Sequence, residues 1–343
     1  MPATTVIPAH GVLADCVRSA TAAPSLHNSQ PWLFRVRKSG VDVYADPARR
    51  LPVLDIDGRE QLISVGAAVF TLRLALRRAG FLSDVTLRPM PGQPELVARV
   101  IVTRPGRVTP AVEALAAAIP HRHTNRWPFA QALVPPEVLD RLRDAARKEG
   151  AALAVAGPAA REAILSMTRS ADRWLRGRPG YRHELARWTT HRFRLDGVPE
   201  WAGGAGDALE AVPIRDFAEL SPAHRPNANF EPYPTIMVLA TAGDRWADWV
   251  RAGQALQRVL LEATWRDLAT TPISQSVEVP ALRRLLIEPG SGLSAQMVLR
   301  IGYGRQAVRT PRRPLADVLL PSRRGCSDGA GGLSKAMVSG DGA

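Results

Sequence analysis

Residues 23–32 read APSLHNSQPW and crowd a serine, a histidine, an asparagine and a glutamine into ten positions. Upstream, Val12, Leu13, Cys16, Val17 and Ala20 recur at helical spacing, and Pro24 ends that run because the residue before a proline disfavours helical dihedrals. Downstream, Trp32, Phe34 and Val36 alternate with Leu33, Arg35 and Arg37, Lys38-Ser39-Gly40 turns the chain, and Val41, Val43 and Ala45 continue the alternation. That pattern predicts a β-hairpin. The polar stretch is therefore a helix-to-strand turn, and it has two possible uses. Pro24, Ser25 and Asn28 can simply build the turn, with Trp32 in the core. Alternatively, amides and hydroxyls on a rigid turn can present the donors and acceptors that the edge of a heterocycle requires.

Outward from the hairpin, Asp57 with Glu60 three residues on forms a candidate capping box. Leu62, Val65, Val69, Leu72, Leu76 and Ala79 then predict one buried helical face that runs to Gly80. Short strands are expected at 85–87 and 96–102, joined by the turn-rich PMPGQP. The second half repeats this vocabulary. A helix at 111–119 leads to PHRHTNRWPF, followed by a helix begun at Pro135-Pro136, a strand-like ALAVA, and helices near 159–175 and 181–191. Residues 193–234 are rich in Gly, Pro and Asn with little periodicity, which predicts a functional loop or lid. In that lid Gly203-Gly204 and Gly206 can serve as hinges, while Trp201, Phe230 and Tyr233 can cover an apolar ring. A strand at 235–241, a helix at 245–268 with Leu256, Val259, Leu260 and Ala263 inward, and a strand at 296–303 complete the core. The Ser- and Gly-rich tail after Pro321 is expected to be disordered. One echo suggests two related halves: GAAVFTLRLALRRAG from Gly66 and GQALQRVLLEATWRD from Gly253 share a glycine, an alanine two residues on, and apolar residues at matching positions.

The length of 343 residues agrees with two core-forming halves, since one domain typically takes ~100–200. A net charge of +13 raises nucleic acid as a partner. Only Lys38, Lys148 and Lys335 are lysines, however, and the arginines are interspersed with acids, as in VLDRLRDAARKE at 138–149. A nucleic-acid module would gather them on one face or interleave them with aromatics, so the excess is read as surface charge and no nucleic-acid partner is expected. Two cysteines, Cys16 and Cys326, cannot build a disulfide framework or a cysteine-rich metal site. Apolar runs such as TIMVLATA at 235–242 fall far short of the roughly 20 residues that span a bilayer. The start MPATTVIPAH lacks a basic-then-apolar signal, so a cytoplasmic location and no membrane partner are expected.

HRHTNR at 121–126 offers charge-assisted donors, a hydroxyl and freed backbone N–H groups directly after Pro120. It suits a phosphate, or else is a solvated basic loop. His121 and His123 have no nearby cysteine or carboxylate to complete a metal set, and HELAR at His183 places Arg187 where a zinc protease needs its second histidine. No P-loop or G-x-G-x-x-G is present. One turn suited to a phosphate and another suited to a ring edge together fit a mononucleotide-like ligand.

APSLHNSQPWLF resembles the P-S-x-x-N-x-Q-P-W motif of the FMN-dependent nitroreductase superfamily, and RHTNRWPF resembles that family's R-x-S-x-R/K-x-F start. GQALQRVLLEA, TTPIS (270–274), LRIGYG (299–304) and TPRRPLADVL (310–319) match its remaining landmarks in order, so the likeness spans most of residues 11–320. The combination with DIDGRE and VGAA resembles the single-chain, two-half Acg-type branch. Ordinary members are homodimers in which the P-S-x-x-N turn comes from one subunit and the R-x-S start and C-terminal arginine from the other. Here the first half carries only the turn and the second only the R-x-S start; where a second turn should fall, the chain reads KEGAALAVA.

The resemblance implies an α+β, nitroreductase-like fold of two related halves fused as an intramolecular pseudo-dimer with one FMN site. The halves are expected at 1–119, carrying the ring turn, and at 120–320, carrying the phosphate site and the lid at 193–234, with the tail at 321–343. It implies that Arg122, Thr124 and Arg312 hold the phosphate and ribityl chain and that Arg126 lies at the pyrimidine edge. Pro24, Ser25 and Asn28 should face the isoalloxazine, with His27 and Gln30 stabilising the turn or touching the ligand. Pro272, Ser274 and Gln275 fall at the landmark beside the reactive flavin N5, where the family usually has Glu-Gly in place of Ser274-Gln275. The implied function is an NAD(P)H-dependent oxidoreductase acting on a nitroaromatic or quinone-like acceptor, able to work as a monomer. The alternative is a non-catalytic, lidded FMN-binding protein that stores or senses flavin.

Overall fold

In the computed structural model, which describes residues 7–190, 194–217, 219 and 225–321, helix α1 (His10–Ala20) buries Leu13, Cys16, Val17 and Ala20 and stops short of Pro24. Strands β1 (Trp32–Arg37) and β2 (Gly40–Ala45) form the expected antiparallel hairpin, with Trp32, Phe34 and Val36 buried. Helix α2 (Arg59–Arg78) starts differently from expectation. Asp57 does not cap it: the N-cap is Gly58, left-handed at φ 74°, and the Asp55 carboxylate accepts from the backbone N–H groups of Glu60 at 3.0 Å and Gln61 at 2.8 Å. With those donors satisfied by Asp55, the Glu60 side chain is released from capping and turns inward.

Strands β3 (Phe81–Leu87) and β4 (Leu96–Pro105) are longer than predicted, and helix α3 (Pro110–Ala118) follows. Helix α4 (Pro136–Arg147) starts at the double proline, followed by β5 (Ala152–Val155), α5 (Pro158–Arg176) and α6 (Tyr181–Trp188). The described parts of the long loop contain only a 3-10 turn and two-residue bridges. Strand β6 (Thr235–Thr241), helix α7 (Trp246–Trp265), strand β7 (Ala269–Pro272), helices α8 (Gln275–Glu278) and α9 (Pro280–Leu285), strand β8 (Ser294–Gly302) and helix α10 (Leu315–Val318) complete the chain. The tail after Pro321 lies outside the described residues, as do the end of the expected 181–191 helix at 191, residue 192, and 193, 218 and 220–224 of the loop.

The result is an α+β fold with two four-stranded antiparallel sheets flanked by helices. Their orders are β1-β2-β4-β3 and β5-β6-β8-β7. Both follow one plan: an N-terminal helix, two strands, a central helix, then two strands, with insertions between β5 and β6 and between β7 and β8. The central helices α2 and α7 pack on each other, α1 packs on α2, and α4 packs on α7. The α2–α7 contact is backbone-close. A Cβ on Gly66 would lie 2.2 Å from the Val250 carbonyl oxygen, and one on Gly253 would lie 1.9 Å from the Ile63 carbonyl oxygen. Neither oxygen can move without breaking a helix, so Gly253→Ala is expected to destabilise the fold by about 2–4 kcal/mol, in the range of severe overpacking. A denaturant melt of that variant checks this; an unchanged midpoint would show that the helices separate freely.

After β8 the chain crosses to the first sheet, where Leu320 N–H donates to the Phe34 carbonyl at 2.7 Å and Leu319 pairs with Phe34. That crossing brings the second half's C-terminal arginines to the turn of the first half. Among the described residues no helix is long and apolar enough to cross a membrane, and no cluster of histidine, cysteine and carboxylates could hold a metal.

Candidate functional site

The 23–32 turn takes an unusual backbone path. His27, Asn28 and Gln30 have φ of 50°, 53° and 51°, a left-handed region that non-glycine residues rarely adopt. Tertiary hydrogen bonds hold it. Gln30 N–H donates to Ser25 Oγ at 2.9 Å, Gln30 Nε2 donates to the Leu195 carbonyl at 2.8 Å, and Gln30 Oε1 accepts from the backbone of Arg313 at 2.8 Å. Asn28 Nδ2 donates to the Gly197 carbonyl at 2.9 Å, while its Oδ1 accepts from Arg312 Nη1 at 3.0 Å. Gln30 is thus a turn-stabilising residue, and Asn28 ties the turn to both the loop and the C-terminal segment. His27 is different. It lines the cleft, neither ring nitrogen has a partner among the described residues, and burial, with Arg215 and Arg126 nearby, holds its pKa well below the usual value.

The turn forms one wall of a cleft with about 780 Å³ of empty space, its open mouth included. Pro24 and Ser25 face Thr124 and Arg126 across it, and Pro272, Ser274 and Gln275 close the end of β7. Seven of the ten expected cofactor residues therefore line a single cavity. The remaining three, Asn28, Arg122 and Arg312, gather behind the same turn: Arg122 Nη2 donates to the Ala22 carbonyl at 3.3 Å, and Arg312 Nη2 approaches the Ala22 and Ala23 carbonyls at 3.5 Å. Apolar surface from Ile63, Ala67, Leu256 and Met297 completes the cavity.

The electrostatics of this cluster are unbalanced. Burial, with Arg312 beside it, pushes Arg122 down to about 9, burial pushes Arg312 down to about 10, and burial with Arg215 and Arg225 pushes Arg126 down to about 10. Burial, then Arg122 and Arg312, lowers His123 to about 4. Other enclosed arginines are paired: Arg215 with Glu278 at 2.5 Å and Arg300 with Glu231 at 2.5 Å. Among the described residues no carboxylate lies within 4.0 Å of Arg122, Arg126 or Arg312, and the Nε atoms of Arg122 and Arg312 have no partner. Buried charge is normally paired, and these three cations depart from that among the described residues.

The loop covers the cleft, but not with the expected aromatics. Trp201 and Tyr233 are exposed, Tyr233 lying under Arg161, and Phe230 packs with Ala205 and Val212 away from the cavity. The ring that lines the cleft is Phe217; His27 meets it edge-on at 5.2 Å and Arg126 lies over it at 4.9 Å. Nor is Gly204 a free hinge, since a Cβ there would sit 2.4 Å from Arg126 Cβ. The anchor of this loop is Arg215, whose Nη2 donates to both Glu278 oxygens at 2.6 and 2.5 Å while Nη1 donates to Tyr181 Oη at 2.6 Å. Ser274 Oγ accepts from Arg215 at 3.4 Å, and Gln275 Nε2 donates to the Pro213 carbonyl at 3.2 Å. Sequence reasoning missed Glu60, Arg215, Phe217 and Glu278 as cleft residues or anchors. DIDGRE pointed at Glu60, whereas nothing in the aperiodic loop marked Arg215 or Phe217.

No protein-family model matches the chain. It is 32% identical over 325 residues to the uncharacterized protein Rv3127 of Mycobacterium tuberculosis, covering 90% of this chain and 92% of that one. It is 30% identical over 325 residues to "Putative NAD(P)H nitroreductase Rv3131" of the same organism, covering 89% and 91%, and 29% identical over 316 residues to its "Putative NAD(P)H nitroreductase acg", covering 90% and 95%. Among solved structures it is similar to the FMN-dependent nitroreductase NfnB of Mycobacterium smegmatis in complex with NADPH, at 19% identity and a TM-score of 0.39 over 62% of this chain and all of that one. With that identity sustained across nine-tenths of its length, the chain belongs to the nitroreductase superfamily and is related to the Acg-type proteins.

Proposed function

We propose that the chain is an FMN-binding oxidoreductase that takes reducing equivalents from NAD(P)H and delivers them to a nitroaromatic or quinone-like acceptor. The carrying observation is the set of enclosed arginines without an anion beside an apolar cleft. A single phosphate supplies the missing charge, and the absence of a dinucleotide fingerprint favours FMN over FAD. Arg122 and Arg312 neutralise the phosphate, with Thr124 beside them. Pro24 and Ser25 on one wall and Pro272, Ser274 and Gln275 on the other hold the ring in place, while Asn28 acts from behind the turn by tying it to Gly197 and Arg312. Arg126 provides a cation where the ring gains negative charge, and Ile63, Leu256 and Met297 keep water out. FMN, when bound, supplies the hydride-exchanging ring; these residues bind it, orient it and keep it dry.

Within this reading the halves, 1–119 and 120–320, are a fused pseudo-dimer. Three observations support that. The sheets share one strand order. The central glycine contact is reciprocal, because Ile63 and Val250 stand at the same sequence separation as Gly66 and Gly253, as across a two-fold axis. The C-terminal segment crosses to the other half's turn. In this reading the described residues make one such site. Where residues 21–31 join α1 to β1, residues 148–151 alone join α4 to β5, and Glu149 there is occupied by Arg73 and Arg258 at 2.8 Å each.

One FMN per chain is therefore expected at dilutions where the protein is monomeric. Heat release, chromatography and stoichiometry on the purified, FMN-loaded protein check both points. A ratio near one half per chain, or loss of flavin on dilution, would sink the fused site; FAD, or no flavin uptake, would sink the cofactor. The second reading, a lidded flavin store or sensor, draws on the Arg215–Glu278 anchor and on Phe217 in the cleft.

A further inference from the structure

Glu60 lines the cleft from the first turn of α2 and is only 3% exposed. One carboxyl oxygen accepts from Arg59 Nη2 at 2.6 Å; the other, Oε2, has no partner among the described residues. Its charged neighbours come from every side: Arg59 and Asp55 at the start of α2, Glu278 from α8, and Arg215 from the loop, with His27 and Arg126 also on the cleft wall. The neighbouring cations are committed elsewhere as well. Arg59 also donates to the Gln296 carbonyl at 2.8 Å and the Val277 carbonyl at 3.3 Å, and Arg215 is held by Glu278. An ionised Glu60 would be a second enclosed carboxylate beside Glu278, which burial and like charge both oppose.

We propose that Glu60 is a ligand-contacting acid, whose unpartnered oxygen carries a proton and donates it in a hydrogen bond to an acceptor atom of the ring bound in the cleft. This rests on the FMN assignment. Isoalloxazine offers carbonyl oxygens and ring nitrogens as acceptors, and His27, held neutral, leaves Glu60 as an acid on the turn side of the cavity. Burial, then Glu278, raises Glu60 to about 8 in the free protein, so the proton is present at neutral pH. A bound ring removes the remaining water and raises the proton affinity further, so binding above pH 8 must first restore the proton. The affinity term from Glu60 is thus constant below about pH 8 and weakens above it by up to about tenfold per pH unit.

The test is an FMN fluorescence-quench titration of wild type, Glu60→Gln and Glu60→Leu between pH 7 and 9.5. Gln keeps a donor but does not titrate, and Leu fills the space without one. Arg122 and Arg312 are present in all three proteins, so their own titration cancels in the ratio of affinities. The expected result is a wild-type affinity that falls by about tenfold or more relative to Glu60→Gln between pH 7.5 and 9.5, and a Glu60→Leu affinity about tenfold below Glu60→Gln at pH 7. Parallel pH curves for wild type and Glu60→Gln overturn the proposal while leaving FMN binding intact. A wild type that binds no FMN overturns both. Should Glu60→Leu fail to fold, the wild-type to Gln comparison decides alone.

Discussion

Replacing Arg122 and Arg312 together with alanine is expected to weaken FMN binding by about two to four orders of magnitude, since each change removes a charge-assisted hydrogen bond worth roughly 1.5–3 kcal/mol. Either change alone should cost about ten- to a hundredfold. The fold should survive, because the turn is held by Gln30 and Asn28 through several other bonds and because each substitution deletes a charge that has no carboxylate partner among the described residues. With Arg122 held near 9 by burial and by Arg312, the folded flavin-free protein gives up this proton at a lower pH than an unfolded arginine does. Its charge therefore opposes folding below about pH 9, and the opposition fades as pH rises through that value. FMN should accordingly raise the melting temperature of wild type by much more than that of the double variant, with the difference shrinking above pH 9. Thermal melts with and without FMN, alongside fluorescence-quench titrations, measure both effects. Unchanged affinity in both single variants would refute the phosphate assignment.

The parts of this molecule that could be read from sequence are those with long periods. Helices α2 and α7 announced themselves through apolar residues at helical spacing, and the hairpin through Trp32, Phe34 and Val36. The polar turn and HRHTNR were visible as separate motifs, and the fold places them around one cleft. The rest depended on pairings that no local pattern encodes. β7 and α8 each span four residues, too few for a period to show. Asp55 and Asp57 both stand in DIDGRE, and only the left-handed turn at Gly58 decides that Asp55 caps the helix. That decision also frees Glu60 for the cleft. In the loop, Trp201, Phe230 and Tyr233 were the expected covers for a ring, whereas the ring in the cleft is Phe217. What selects Phe217 is the nearby Arg215, bonded to Glu278 63 residues further on, a long-range pair invisible to any window of sequence.

Freeing that pair should separate an enzyme from a flavin store. Arg215→Ala alone leaves Glu278 buried without its cation, at a cost of about 3–5 kcal/mol, and is expected to compromise folding. Arg215→Met combined with Glu278→Leu removes both charges at similar volume, which buried ion pairs usually tolerate, and so releases the loop while keeping the core. In the FMN-loaded double variant, flavin release and reduction by NAD(P)H should both accelerate by about tenfold or more, because lid opening limits access to such sites. The wild type sets the reference. As an oxidoreductase, it should bleach within seconds of anaerobic mixing with NAD(P)H, its lid opening often enough for nicotinamide to reach the ring. If wild type instead resists NAD(P)H yet responds to dithionite, and the double variant responds to both, the lid is the barrier and storage or sensing is the better account. If the folded double variant releases flavin faster but still resists NAD(P)H, access is not the obstacle. The cause then lies at Ser274 and Gln275, where a buried polar pair tied to Arg215 and Pro213 stands where the family resemblance implies Glu-Gly.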